Sequence, residues 1–202
     1  MRYPPKLAVS IHPEPDMFAQ YMRDYNNFDV PVTNLIIHVL SEIEGKVTFL
    51  DIGSFVGYYS ALASFCGVHK VISMDAFPQH NQKTCETLQL NSFHNVGVYN
   101  FLLGNRRRYQ QWCAPLDNLA FSISEGCPSA GDEFFNNYIT NSVLMVHALD
   151  WMEQNMNSTL NNYSGDEELV IRIHVSEGFE EQLVKMEELL HLEFVPFLSL
   201  MD

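Results

Sequence analysis

Two carboxylates and two glycines are spaced as a nucleoside site would need them. The segment Leu50-Asp51-Ile52-Gly53-Ser54-Phe55-Val56-Gly57-Tyr58-Tyr59-Ser60 reads as a strand ending in an acid, a glycine turn, and a second glycine opening a helix. In a parallel sheet, ligands sit at the carboxyl ends of the strands, where the strand order reverses. Gly53 lets the backbone turn sharply and approach a ligand with no Cβ in the way. Gly57 would let the helix pack closely on its strand. The spacing is Gly-x-x-x-Gly rather than Gly-x-Gly-x-x-Gly, which speaks against a pyrophosphate on the helix N-terminus and so against NAD or FAD. Asp75 ends the next strand, 24 residues after Asp51, near the spacing of a carboxylate that accepts both ribose hydroxyls. A cofactor with a ribose, no phosphate and a sulfonium cation fits this set, because nearby carboxylates favour positive charge. S-adenosylmethionine has these features. The alternative is that Asp75 only caps the following helix. Phe77 has a face on which adenine could stack, although a single aromatic there also suits a core.

These residues require a scaffold, and the hydrophobic pattern supplies one. Lys46–Ile52 is almost wholly apolar after Lys46, as expected of a strand buried on both faces. A helix over Tyr58–Cys66, a strand over Val71–Asp75, a helix over Gln79–Leu90 and a strand over Val96–Leu103 follow. This β-α-β-α-β order predicts a parallel sheet with helices on both faces, and the right-handed crossover rule puts the first strand near its middle. Beyond it come strand patterns at Tyr109–Cys113, Phe121–Ser124 and Val143–Ala148, a helix over Asp132–Ile139, and a polar loop over Gln154–Asp166. The first rhythm then returns as strand Leu169–Val175, helix Gly178–Leu190 and strand Val195–Met201. Ahead of the first strand, Pro31–Leu40 carries Val32, Leu35, Ile36 and Val39 at amphipathic-helix spacing. The expectation is one domain of 202 residues, with a helical lead-in (1–45) packed on a Rossmann-like α/β/α sandwich (46–202). The sequence stops at a strand end, which reads either as a naturally short fold or as a fragment.

Composition narrows the function classes. Lys plus Arg is 11 against 25 Asp plus Glu, a formal charge of −14, so a phosphate backbone gains little by counterion release and nucleic-acid binding is not expected as the main task. No apolar run reaches the roughly 18 residues that span a bilayer, and the N-terminus lacks the apolar core of a signal peptide. Cys66, Cys85, Cys113 and Cys127 lack ligand spacing, so buried free thiols are expected and a metal is not. Glu180, Glu181, Glu187 and Glu188 share a helix without a histidine at ligand spacing. Arg106–Arg108 reads as a solvated turn, with attraction of an anionic substrate as the weaker alternative. Asp117-Asn118 reads as a turn closed by its own side chains; contact with cofactor or substrate is the alternative that the family resemblance given below implies. Asn157-Ser158-Thr159 and Asn162-Tyr163-Ser164 are glycosylation sequons. They set a secretory lumen against the default of a soluble cytoplasmic protein.

Asp51-Ile52-Gly53-Ser54-Phe55-Val56-Gly57-Tyr58 resembles the first motif of the FkbM-type methyltransferases, usually Asp-x-Gly-Ala-Asn-x-Gly-Tyr. Ser73-Met74-Asp75-Ala76-Phe77-Pro78, then Leu90–Val96 with Leu103-Gly104-Asn105, and then Arg172-Ile173-His174-Val175-Ser176-Glu177-Gly178-Phe179-Glu180 resemble three later motifs in the same order. Ile11–Asp16 is similar to the lead-in of some larger eukaryotic members. The resemblance spans about residues 8 to 202. It implies a class I fold, with the usual C-terminal β-hairpin lacking if the fold is naturally short, and S-adenosylmethionine held by Asp51, Gly53, Ser54, Phe55, Gly57, Tyr58, Asp75, Ala76 and Phe77. The implied reaction is O-methylation of a sugar, lipid or small-metabolite hydroxyl. Phe55 replaces the usual Asn, and Ala76 a frequent Pro. His174 replaces the acid of the last motif, with Ser176 inserted before Glu177, as a strand-end bulge would do. His174 and Glu177 are the candidate bases, since an imidazole or a carboxylate can take a hydroxyl proton near neutral pH. The same departures favour the alternative, an inactive methyltransferase-like domain that binds other proteins.

Overall fold

The computed structural model describes residues 6–25, 28–104, 106–120, 127–148, 150–152, 154–155 and 167–173. Helices α1 (Met17–Tyr25) and α2 (Val30–Glu42) precede β1 (Lys46–Ile52), α3 (Tyr58–Phe65), β2 (Lys70–Asp75), α4 (Pro78–Leu90) and β3 (Val96–Asn100). Next come β4 (Leu102–Gly104), β5 (Arg108–Pro115), a 3-10 turn at Phe135–Asn137, β6 (Tyr138–His147) and β7 (Glu167–Ile173). The principal sheet has the order β3-β2-β1-β7, with every pairing parallel. β1 is interior, as the crossover rule required. It sets Leu50 opposite Ile72 on one side and Asp51 opposite Arg172 on the other. This is the expected α/β, Rossmann-like arrangement.

Side-chain alternation sends the sheet's apolar residues to two faces. Val47, Phe49 and Val71 pack against Ile36 and Leu40 of α2 and Tyr59 and Leu62 of α3. Leu50, Ile52, Ile72 and Met74 pack on the other face against Leu103, Ala148, Trp151 and Met152. With both faces covered, the strands lack the polar alternation of a half-exposed sheet. α3 stops at a glycine: Gly67, at φ 85°, donates its N–H to Ser64 O, and Val68 N–H reaches Ala63 O, which together satisfy the last carbonyls of the helix.

A second sheet, β4-β6-β5, joins β4 to β6 in parallel and β5 to β6 antiparallel. The expected strand Val96–Leu103 is therefore two strands. Phe101 interrupts it, and the chain passes there from the first sheet to the second. The helix expected at Asp132–Ile139 is absent. Aromatic and Asn residues are poor helix formers, so only Phe135–Asn137 turns, while Tyr138 and Ile139 pair with Pro115 and Ala114. β6 is longer than the Val143–Ala148 reading because β5 offers it a full-length partner, and it ends at His147. The buried stripe of α2 is Thr33, Ile36 and Leu40, so Val39 faces out, 37% exposed. Gln154 and Asn155 are helical rather than loop. The strand Phe121–Ser124, the helix Gly178–Leu190, the strand Val195–Met201 and the remainder of the polar loop lie outside the described residues. Among the described residues, no helix is long and apolar enough to cross a membrane.

Candidate functional site

The β1–α3 and β2–α4 turns meet at the carboxyl edge of the sheet. Gly53, at φ 78°, turns the chain so that both its own N–H and that of Ser54 reach Met74 O on β2, at 2.9 and 3.0 Å. Asp75 locks the two turns together. Its Oδ2 accepts the Phe55 N–H at 2.8 Å, and its Oδ1 accepts the Phe77 N–H at 2.9 Å. His80 Nδ1 lies 2.8 Å from the same Oδ1. Beside a carboxylate that nitrogen carries the proton. A carboxylate offers about four acceptor positions; with three filled by protein donors, one remains, on Oδ2. Asp75 thus does more than cap α4, because it binds the two turns to each other.

Gly57, at φ 76°, opens α3. A Cβ there would lie 2.6 Å from Thr84 Cγ2 and 3.0 Å from its Cα. The close approach it permits is therefore to α4, not to the strand beneath. Thr84 and Thr87 fasten the turn further, donating their hydroxyls to Phe55 O and Val56 O, both at 3.0 Å.

Phe55 sits at φ 50°, a left-handed conformation that Asn tolerates better than Phe. Its ring packs edge-on against Phe18 and His80, with centroids 4.8 and 4.6 Å away, and lies 5.6 Å from His12. His12 and Phe18 come from the lead-in, which crosses this edge. Burial holds the His12 imidazole neutral and lowers its pKa to about 4. The neighbouring His80 and, more weakly, Lys83 act in the same direction, against Asp16 and Asp75. Among the described residues, the Nε2 atoms of His12 and His80 are buried without a partner, and their rings are 5.2 Å apart. Phe77 is 1% exposed and packs with Ala76, Trp112, Ala114, Leu119 and Val143, so it is a core aromatic in this conformation. Tyr58 turns into the α2–α3 core, where its hydroxyl accepts from Thr33 Oγ1 at 3.3 Å.

Asp51 is fully buried. It accepts from Ser60 Oγ and from the Arg172 guanidinium, both at 2.7 Å. Arg172 also donates to Gly53 O at 3.3 Å, and its guanidinium lies 4.2 Å over the Tyr59 ring. The Asp51 charge is therefore already matched from within the protein. Burial, opposed by Arg172, pushes the Tyr59 hydroxyl above its ordinary range.

The structure thus brings Asp51, Gly53, Ser54, Phe55, Gly57, Asp75, Ala76 and Phe77 to one edge and turns Tyr58 away. His174 and Glu177 lie outside the described residues. Two surface depressions, of about 360 and 310 Å3, lie elsewhere, lined by Ser10, Glu86, Gln89 and Leu90 and by Glu14, Pro15, Asp16, Gln20, Arg23 and Asp24. Among the described residues, no three His, Cys, Asp or Glu side chains come together to hold a metal. Arg106 and Arg107 are exposed, and Arg108 donates to Gln110 Oε1 at 2.6 Å. Asn118 N–H closes a turn onto Pro115 O, with no role for the Asp117 side chain in it.

No protein-family model matches the chain, and no curated protein does. Among solved structures, it is similar to the YcgJ protein of Bacillus subtilis, at 23% identity over 35% of this chain and 29% of that one, with a TM-score of 0.32. It is also similar to precorrin 8W decarboxylase of Methanobacterium thermoautotrophicum, at 25% identity over 37% and 39% of the two chains, with a TM-score of 0.31. The matches therefore span less than two fifths of either protein. They are local likenesses.

Sequence reasoning missed His80, Arg172, Asp16 and Thr84 as members of this edge. His80 had a usable signal, since it lies five residues after Asp75, in the first turn of α4 and within reach of the carboxylate. Arg172 stands 121 residues from Asp51, and nothing local pairs them. Cys113 and Cys127 form a disulfide with Cα atoms 5.7 Å apart, which corrects the expectation of four free thiols. Their 14-residue spacing carried no such information, because the pairing is a tertiary approach that no local pattern encodes. Cys66 and Cys85 are free, and Cys85 is exposed rather than buried.

Proposed function

We propose that this domain binds S-adenosylmethionine at the carboxyl edge of β1 and β2 and transfers its methyl group to a hydroxyl of a sugar, lipid or small metabolite. One observation carries the reading. The order β3-β2-β1-β7 reverses between β1 and β7, and beside that switch point the carboxyl ends of β1 and β2 bring Asp51 through Phe55 and Asp75 through Phe77 together, on the edge where open parallel sheets bind ligands. The remaining acceptor position on Asp75 Oδ2 suits a ribose hydroxyl, and the Gly53 turn lets backbone approach the ligand. Asp51 contributes shape rather than charge, because Arg172 matches it. The cofactor, when bound, supplies a methyl activated by a sulfonium. This chain's residues orient the acceptor hydroxyl and remove its proton, with alignment as the main source of acceleration. β7 ends at Ile173, opposite Ile52. The next residue in sequence, His174, is the proposed base, with Glu177 after it. The FkbM-like motifs support this reading.

A second reading, a methyltransferase-like domain retained to bind other proteins, is favoured by Phe55. The lead-in packs its ring against the turn with His12 and Phe18. Titration calorimetry of the purified chain with S-adenosylmethionine, S-adenosylhomocysteine and NAD separates the two readings. Micromolar binding of the first two without NAD is expected, weakened at least tenfold by Asp75→Ala. A folded chain that binds none of the three overturns the enzyme reading in favour of the second.

A further inference from the structure

Ser54, Asp75, Ala76, Phe77 and His80 are all buried at the carboxyl edge, so a nucleoside reaches Asp75 only after something moves. The β1–α3 and β2–α4 turns are locked to each other by bonds from Met74, Asp75, Thr84 and Thr87. The lead-in is held differently, by ties at two ends. One end is fastened to the C-terminal half of α4. There Asn91 exchanges hydrogen bonds with Ala8 N–H and Ala8 O at 3.1 and 2.7 Å, Thr87 Oγ1 accepts the Ser10 N–H at 3.0 Å, and Glu86 accepts the Ser10 hydroxyl. The other end is fastened at the start of α1. Asp117 O accepts the Met17 N–H at 2.8 Å, and the buried Asp16 carboxylate accepts from Leu119 N–H at 3.0 Å and from Ala19 N–H at 2.9 Å. Between the ties, residues 11–15 include Pro13 and Pro15, which have no N–H to donate. The described polar bonds of this span run within the lead-in itself, from Asp16 N–H to Pro13 O and from Arg23 to Glu14.

What this span sets into the edge is the His12 ring. It is buried, 5.2 Å from the His80 ring and 5.6 Å from Phe55, and tilted 60° and 44° to them, with Asp16 and Asp75 near enough to act on its charge. A flat nitrogen heterocycle among aromatic rings and beside a carboxylate is what a nucleoside base would present there. As an occupant His12 is imperfect. Its Nε2 and that of His80 have no partner among the described residues, and unpaired buried polar groups cost stability. Building on the reading that the ligand binds at Asp75, we propose that the lead-in is an autoinhibitory strap in which His12 fills the place of the ligand's heterocycle and swings out before a ligand is bound. The turns beneath stay locked, so the movement is confined to the strap. A strap open about a tenth of the time weakens the apparent affinity about tenfold.

The test uses the full chain and two variants. Ser10→Ala with Asn91→Ala cuts ties to α4 away from Asp75, while His12→Ala removes the occupant and leaves the ties. Labelling of His12 by diethyl pyrocarbonate, read by peptide mass spectrometry against the exposed His38, reports the strap without any ligand. His12 is expected to label at least tenfold faster in the untied variant. Titration calorimetry with S-adenosylmethionine is expected to show at least tenfold tighter binding in both variants than in the parent. His12 labelling that ignores the untying, or that already matches His38 in the parent, overturns the strap whatever the ligand does. Binding of S-adenosylmethionine that is unchanged or weaker in His12→Ala also overturns it and leaves the cofactor reading standing. A third arm covers the case in which none of the chains binds S-adenosylmethionine. If untying then still exposes His12, and excess imidazole raises the melting temperature of His12→Ala but not of the parent, the strap stands and the cofactor reading falls. Without that stabilisation both fall.

Discussion

Arg172→Met removes the cation 2.7 Å from a fully buried carboxylate. The side chain lost is itself mostly buried, at 15% exposed, so solvent offers Asp51 little in exchange, and Ser60 Oγ is then the donor left to it. Breaking a buried pair by removing one partner costs about 3–5 kcal/mol, because the other charge is stranded. Losing the guanidinium from the Tyr59 face adds about 0.5–2 kcal/mol. Against a total stability of about 5–15 kcal/mol, that is roughly a quarter or more of what holds the domain folded. With a urea slope of about 2–3 kcal/mol/M, the upper part of the usual range as suits a domain of this size, the unfolding midpoint is expected to fall by roughly 1–3.5 M. Asp51→Asn in the Arg172→Met background removes the stranded charge and is expected to return about 2–3 kcal/mol, a coupling measurable in a double-mutant cycle. An Arg172→Met midpoint within about 0.3 M of the parent, or two effects that simply add, would refute the claim that Asp51 is neutralised from within.

Gly57→Ala is expected to cost about 2–4 kcal/mol in denaturant unfolding, from overpacking against Thr84 and from a left-handed backbone; Thr84→Ala beside it removes the Cγ2 and hydroxyl contacts but not the Cα, so it should recover only part of the overpacking cost. His12, neutral in the fold with a pKa near 4 against 6.5 unfolded, must take up a proton when the chain unfolds in mild acid. Its contribution is intact above about pH 6.5 and is lost between there and pH 4, by about 3 kcal/mol in all; urea midpoints should show this decline in the parent and a shallower one in His12→Phe. Phe55→Asn relieves the backbone but gives up the ring contacts to Phe18, His80 and His12. A loss of about 1–3 kcal/mol is expected, seen as a melting temperature lower by roughly 2–12 °C, and an unchanged Tm would mean that those contacts are worth no more than the backbone strain that Asn relieves.

The first half of the Rossmann-like core was legible because its signals are local. β1 and β2 are short apolar runs ending at Gly53 and just before Pro78, and the α3 and α4 boundaries fall within a residue of those read from the sequence. Where pairing is non-local, sequence patterning lost its hold. Val96–Leu103 is continuous in hydrophobicity, and only the partners of Val98 and Leu103 reveal that they belong to different sheets. Aromatic residues around Phe135 carry a helix-like spacing that β5 overrides by offering edge hydrogen bonds to Tyr138 and Ile139. At the site, the acids and glycines were visible and their occupants were not. Asp75 could be seen as a carboxylate at a strand end, yet its donors include Phe55 from the previous turn. Asp51 looked like a free charge until Arg172 was placed opposite it in register.

The single-residue break at Phe101 has a mechanical consequence. Asn100 closes the edge of one sheet, with its side-chain amide bound to the carbonyls of Asp75 and Ala76 at 3.1 and 2.8 Å, while Leu102 already pairs with Met145 in the other. Phe101 itself lies against Tyr99 and Trp151, and Leu103 is sealed beneath β1 and β2. There is no slack in such a junction for one sheet to swing against the other. Melting of β6 would pull directly on the backbone beside Asp75, and loss of β3 would strip the anchor from β4. The two sheets are expected to come apart in one cooperative event, giving a single calorimetric transition.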